Sequence, residues 1–120
     1  MLLIVGKVTV PVAGTPVRLT DRTEYQAALT AAGLNTAFKT AQAVYFQAWT
    51  ANTGKVYIGS SALVKASGVG VMQVLVAPSA TAIPSFGIAQ QTTGEGVTLS
   101  DIFLDVDTGA EGVLVSLLMS

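Results

Sequence analysis

Polar and apolar residues alternate along much of this chain with a period of two. In residues 7–12, Val8, Val10 and Val12 fall on one side and Lys7, Thr9 and Pro11 on the other. That is the pattern of a half-buried strand built on β-branched residues. Pro11 cannot donate to a ladder, so it belongs at a strand end or edge. Ala13-Gly14-Thr15-Pro16 reads as a turn, and Val17-Arg18-Leu19 as a short second strand. The period then changes. Tyr25, Ala28, Leu29 and Ala32 recur at helical spacing. Asp21 and Glu24 have capping-box spacing, and Gly33 followed by Leu34 fits a left-handed helix stop. These signals predict one short helix at about 22–32, inside a helical insert at about 20–40, lying as a lid on the sheet.

Period two returns at residues 42–50, where Val44, Phe46 and Ala48 share one face and Tyr45, Gln47 and Trp49 the other. Asn52-Thr53-Gly54 then separates this strand from Lys55-Val56-Tyr57-Ile58-Gly59, which predicts a hairpin with Val56 and Ile58 on the core face. Residues 71–77 form a strand apolar on both faces, and 78–85 and 89–96 read as loops. Next, Ile102, Leu104 and Val106 oppose Asp101, Phe103, Asp105 and Asp107. A turn over 107–112 leads to a closing strand, 113–119, with Val113, Val115 and Leu117 inward and Leu114 and Leu118 outward. Seven or eight short strands at this spacing predict an all-β fold, an antiparallel β-sandwich of jelly-roll type, as a single domain over 1–120.

Composition narrows the function. Of 120 residues, 51% are hydrophobic and only 11% charged, against a usual charged share of about 25%. Such a chain is not disordered, and it has few charges to cover its own surface, so contact with other subunits is expected. Cysteine and histidine are absent, which removes disulfides, thiol nucleophiles and imidazole acid–base chemistry and argues against zinc. A net charge of −1 gives no general attraction to nucleic acid. The apolar start, Met1 to Gly6, lacks a basic region before it and reaches Lys7 early, so no signal peptide is expected. No apolar run approaches the roughly 18 residues of a membrane span.

The charges are segregated. Through Lys65 the chain carries all six basic residues and two acids, net +4; after it come five acids, net −5, which sum to −1. The halves can face each other within one chain or between chains, and the intermolecular case is favoured for Asp101, Asp105 and Asp107 beside Phe103. Asp105-Val106-Asp107-Thr108-Gly109 has the spacing that opens some calcium loops, with Asp101 and Glu111 nearby, but a distal bidentate Glu is lacking. An outward carboxylate pair at a strand end is the more economical reading, and no cofactor or metal is expected. Gly68-Val69-Gly70 and Gly94-Glu95-Gly96 lack a phosphate-loop Lys and read as turns. Lys65 among Ser60, Ser61 and Ser67 is ordinary loop composition rather than a Ser–Lys dyad. No nucleophile–base pair can be assembled, so an enzyme is not expected. Tyr45, Phe46, Trp49 and Tyr57 could form a stacking platform, but parity sends half of them into the core and leaves Tyr45 and Trp49 to pack against the insert helix or a neighbour.

Subunit contacts are expected where apolar residues occupy both faces of a strand. Phe103, Leu114 and Leu118 lie opposite the core-facing sets, and Leu2, Leu3, Ile4 and Val5 are apolar at both parities. A five-residue apolar end would fray in water, so residues 1–5 are expected to be an interaction arm, added as a strand to a neighbour. Asp105 and Asp107 join the candidate contact residues, and a homo-oligomer is expected, a trimer before a dimer.

Gly6-Lys7-Val8-Thr9-Val10 with Gly14-Thr15-Pro16-Val17-Arg18-Leu19, then Asn52 to Ser61, Ile102 to Val106 and Glu111 to Val115, together resemble the small decoration (cement) proteins of tailed-bacteriophage heads. The resemblance covers about two-thirds of the chain; the insert at 20–40 departs from the family pattern, and 71–90 lacks its short L-x-P-G-E-S turn. It implies a β-rich protein ending in a closing hairpin, located on the virion at the capsid surface, with the major capsid protein and its own copies as partners. The alternatives are another phage part, a head–tail connector or tail protein, and, from a different class, a glycan-binding β-sandwich module.

Overall fold

In the computed structural model, residues 1–89 and 96–119 are described. Ten strands and one helix follow the order β1 (Leu2–Thr9), β2 (Val17–Arg18), α1 (Thr23–Ala31), β3 (Thr40–Ala41), β4 (Ala43–Ala48), β5 (Val56–Val64), β6 (Val69–Leu75), β7 (Ser85–Ala89), β8 (Val97–Thr98), β9 (Phe103–Val106) and β10 (Gly112–Leu118). Two four-stranded sheets, ordered β1-β10-β4-β7 and β2-β9-β5-β6, and a two-stranded ribbon β3-β8 account for all of them. Every pairing is antiparallel. The expectation of an antiparallel all-β chain with one short helix holds.

Both sheets send their apolar parity into one core. Val44, Phe46 and Ala48 of β4, Val113, Val115 and Leu117 of β10, Val56 and Ile58 of β5, and Leu104 and Val106 of β9 are all buried there, as alternation predicts. The predicted partners differ, however. Residues 42–50 and 55–59 do not form a hairpin: β4 pairs with β10 and β7, while β5 pairs with β6 and β9. The closing segments likewise separate, β9 into one sheet and β10 into the other. A period of two fixes which face of a strand is buried, and both arrangements bury the same face. Asn52 instead clamps the last strand: its Nδ2 donates to Gly112 O at 2.8 Å, and Gly112 N donates back to its Oδ1 at 3.3 Å.

The N-terminal segment is not a free arm. Leu2 to Thr9 pairs with β10 of the same chain, and its register shifts between Ile4 and Gly6. Val5 is the extra residue of this bulge, and Gly6 adopts φ +86°, a conformation few other residues tolerate. The bulge slips the pleat by one position. Leu3 points inward before it and Val8 after it, which is why the alternation of residues 7–12 does not extend back to Met1. At the other end, Val8 and Val10 are buried but Val12 is exposed, so the strand stops short of Pro11.

Helix α1 stops as read. Gly33, at φ +73°, donates to Thr30 O and Leu34 N to Leu29 O, which is a Schellman stop. Its start differs: Arg22 occupies the cap position with no side-chain bond, and Asp21 belongs to a preceding 3-10 turn, Leu19–Asp21. Glu24 is diverted from a capping box because its Oε2 accepts from Thr9 N at 2.6 Å, on the edge of β1. Tyr25 and Leu29 are fully buried, whereas Ala32 is exposed. Tyr25 Oη donates to Phe38 O, and burial pushes its pKa up to about 12. The insert is therefore part of the core, closing one edge of the first sheet. Of the loop expected at 89–96, residues 90–95, Glu95 among them, lie outside the described residues. No helix of the described residues is long and apolar enough to cross a membrane.

Candidate functional site

Register across the first sheet assembles a surface from four strands. Leu2, Leu118, Ala43 and Ala89 form one row; Ile4, Ser116, Tyr45 and Gly87 a second; Lys7, Leu114, Gln47 and Ser85 a third. Their neighbours along each strand enter the core, so these rows make the outer face. It is apolar and small-sided: Leu2 is 59% and Ile4 62% exposed, and Tyr45 is also exposed. A groove of about 510 Å³ runs over it, between Ile4 and Gly6 on one side and Ser85 to Gly87 on the other, with Leu114 and Ser116 in its floor. Tyr45 lies across Gly87, so closely that a Cβ there would sit 3.1 Å from the ring. The one charged side chain of these rows is turned to the end: Lys7 Nζ donates to Ala110 O at 3.1 Å and stands 3.3 Å over the Trp49 ring.

Of the nine predicted contact residues, the structure gathers Leu2, Ile4, Leu114 and Leu118 on this face. Leu3 is buried and Val5 packs against the core. Phe103 lies in the second sheet, with the Arg18 guanidinium 5.1 Å from its ring centre. Asp105 keeps its outward parity but is only 1% exposed. Its Oδ1 accepts from Gly14 N at 2.9 Å and from Val106 N at 2.8 Å, because the turn containing Gly14 folds over it. Asp107 is drawn to its own chain. Its Oδ1 lies 3.3 Å from Lys65 Nζ and accepts from Tyr57 Oη at 3.1 Å, while Lys65 also donates to Val106 O at 2.6 Å. Asp105 and Asp107 are thus both bonded within their own chain, and the basic and acidic halves meet here at Lys65 and Asp107. Arg18–Asp21 and Arg22–Glu24 are local pairs inside the basic half.

Another acid, Glu111, is buried as a latch. Oε2 accepts from Thr53 N at 2.6 Å and Thr53 Oγ1 at 2.9 Å, and Oε1 from Gly54 N at 3.0 Å. Burial alone would raise its pKa, but these bonds and the nearby Lys7 charge outweigh it and hold the carboxyl below the usual range. Asp107 behaves alike, burial being outweighed by Lys65 and Tyr57. Asp105, Asp107 and Glu111 are thus each bonded elsewhere, and no group of three metal-ligating side chains exists among the described residues. Ser60 and Ser67 hydroxyls bond local backbone rather than Lys65.

Sequence reasoning missed Gly87 as part of the face, and left Tyr45 between the insert helix and a neighbour. Tyr45 carried a usable signal, its outward parity, but the helix lies at the far edge of the sheet, on β1. Gly87 is recognisable only once β7 is paired to β4. Comparison with known protein families, curated proteins and solved structures returns no match.

Proposed function

We propose that the protein is a decoration (cement) protein of a tailed-bacteriophage head, binding the outside of the shell as an oligomer and stabilising it. The observation that carries this reading is the outer face of the first sheet. Four strands of one chain present a surface with a single charged side chain, Lys7, on which Leu2, Ile4 and Tyr45 are exposed. Exposed apolar patches of this kind serve as contact surfaces. The architecture is read as a β-sandwich of jelly-roll type. Supporting that, the first and last strands pair, and the chain passes repeatedly between two four-stranded sheets, as in the double Greek key used by viral capsid domains.

The mechanism is mechanical. Each copy lays its apolar face over a junction of shell subunits, where burial contributes about 25 cal/mol per Å² before association costs. Repetition over a symmetric shell multiplies a modest contact into resistance to rupture. A glycan-binding module would present a row of exposed aromatics along the groove. Here Tyr45 is exposed, but Trp49 lies beneath Lys7 and Tyr57 bonds to Asp107 in the other sheet, which favours a protein partner. The test is co-sedimentation with empty heads assembled from the major capsid protein. The wild type pellets with the shells and raises their melting temperature, whereas Leu2→Lys with Ile4→Lys stays in the supernatant with an unchanged circular-dichroism spectrum. Wild type left in the supernatant, or a variant that pellets equally, overturns the proposal.

A further inference from the structure

Residues 60–70 depart from the plan of the sheet they belong to. Tyr57 and Lys65 are eight positions apart, and a straight strand would separate them by about 27 Å. Instead Lys65 Nζ stands 6.0 Å from the centre of the Tyr57 ring and donates to Val106 O, on β9. The β5–β6 hairpin therefore doubles back over the outer face of the second sheet. Two glycines permit the fold. A Cβ on Gly59 would lie 2.0 Å from Gly70 O, and one on Gly70, at φ +70°, would lie 2.7 Å from the Ala62 carbonyl carbon. The ladder breaks at the same place: after Gly59 and Val71 the next pair is Val64 and Val69, so four residues of β5 oppose one of β6. Little holds the doubled-back piece. Of residues 60–70 only Leu63 is buried, with Lys65 and Gly70 half-buried. Leu63 lies against Gly59, its Cδ1 3.2 Å from where a Cβ would be, and stands apart from the core that the two sheets share. The second tie is Lys65. It donates to Val106 O at 2.6 Å and pairs at 3.3 Å with Asp107 Oδ1, which also accepts from Tyr57 Oη. A unit with one buried apolar side chain and exposed backbone belongs to the low-stability end of a fold.

We propose that residues 60–70 form a strap, shut by Lys65 on Asp107 and Val106 and hinged at Gly59 and Gly70, that opens as a unit while both sheets stay folded. Opening lifts Leu63 from Gly59 and bares the Tyr57 side of the sheet. It also joins Leu63 to Val64 and Val69, which are already exposed. The closed strap thus withholds one side chain of an apolar hairpin tip, and the hold of one lysine controls its release. This device belongs to the second sheet and is independent of the face proposed to meet the shell.

The test uses the isolated protein without shells. Trypsin must draw several residues on either side of Lys65 into an extended form to cut after it, so cleavage there reports the open strap. The wild type is cut between Lys65 and Ala66 at a rate that low urea leaves unchanged, because opening exposes little surface. Asp107→Asn keeps the cleavage site but removes the charge that holds it. It is cut about tenfold faster, while its urea midpoint of global unfolding falls only slightly. Leu63→Cys supplies a second readout, since the chain has no other thiol. Its thiol reacts with a disulfide reagent in the absence of urea, and faster when Lys65→Ala is added, whereas Leu104→Cys in the core reacts only through global unfolding. Cleavage after Lys65 that begins only in the global transition, equal cleavage of Asp107→Asn and wild type, or a Leu63→Cys thiol as protected as that of Leu104→Cys overturns the proposal.

Discussion

The outer sides of the two sheets are made from similar strands and put to opposite uses. On the second sheet nearly every polar or charged group is held by the chain itself: Asp105 beneath Gly14, Asp107 by Lys65 and Tyr57, Arg18 over Phe103. Glu111, in the turn before β10, is tied to Thr53 and Gly54 in the same way. On the first sheet the large apolar groups Leu2, Ile4 and Tyr45 stand exposed. In a chain with so few charges, those present are placed where turns must be fixed. The surface left without them is the one available to another molecule. On the proposed function, the difference separates residues whose loss unfolds the protein from residues whose loss disconnects it.

Two glycines give the sharpest break between the regions. A Cβ on Gly112 would lie 2.0 Å from Val8 O, inside the β1–β10 ladder, where only backbone can move. Gly112→Ala is expected to cost about 4 kcal/mol or more, read as loss of a cooperative urea transition. On the face, a Cβ on Gly87 crowds the Tyr45 ring at 3.1 Å and touches Val44 O at an ordinary 3.8 Å, so Gly87→Ala should cost about 1 kcal/mol or less while displacing Tyr45 and weakening shell binding. Equal destabilisation by the two would break the comparison.

Next in size is the Glu111 latch. Replacement by Gln loses charge-assisted bonds worth about 1.5–3 kcal/mol each and leaves donors of Thr53 and Gly54 poorly satisfied, so the urea midpoint should fall clearly. The wild type should also be acid-sensitive. Glu111, Glu24 and Asp107 all have folded pKa values below their ordinary values of 4.5, 4.5 and 3.8. In Glu24 burial is outweighed by the Thr9 amide. Their contribution is complete above those ordinary values and is lost as pH falls through the lower folded ones. Stability measured from pH 7 down to pH 3 should therefore decline below about pH 4.5, and less steeply in Glu111→Gln.

Lys65→Ala removes a partly exposed ion pair and should change stability by about 0–1 kcal/mol, less still in high salt. Ile4→Lys, at a position already open to solvent, should shift stability by no more than about 0.5 kcal/mol and yet abolish co-sedimentation with shells. Unfolding by Ile4→Lys would move this face into the class of the second sheet.

Particular residues show how far the sequence is readable. Parity alone assigned Val44, Phe46, Ala48, Leu104 and Val106 to the core, and Leu114 and Leu118 to an outer face. The helix stop at Gly33 was legible because a left-handed residue followed by an apolar one is a local device. Glu24 was misread because its partner, Thr9, lies fifteen positions away and on another element. Asn52-Thr53-Gly54 had the composition of a hairpin turn, but its polar groups bind Gly112 and Glu111, and nothing local announces that. Asp105 was placed outward correctly by alternation and then buried by a turn from the other end of the chain.

What the sequence by itself determined is the set of local quantities: strand periods, the helix and its stop, the burial of each apolar parity, and the chemistry excluded by the lack of cysteine and histidine. These depend on a few neighbouring residues and on transfer from water. The tertiary structure alone decided which strands pair, that Val5 slips the N-terminal pleat into the chain's own sheet, and that Leu2, Ile4, Tyr45, Leu114 and Leu118 share one surface. Many pairings bury the same apolar parity. The choice among them rests on contacts distant in sequence, such as the bonds of Asn52 and Glu111 and the close approach of Gly112 to Val8.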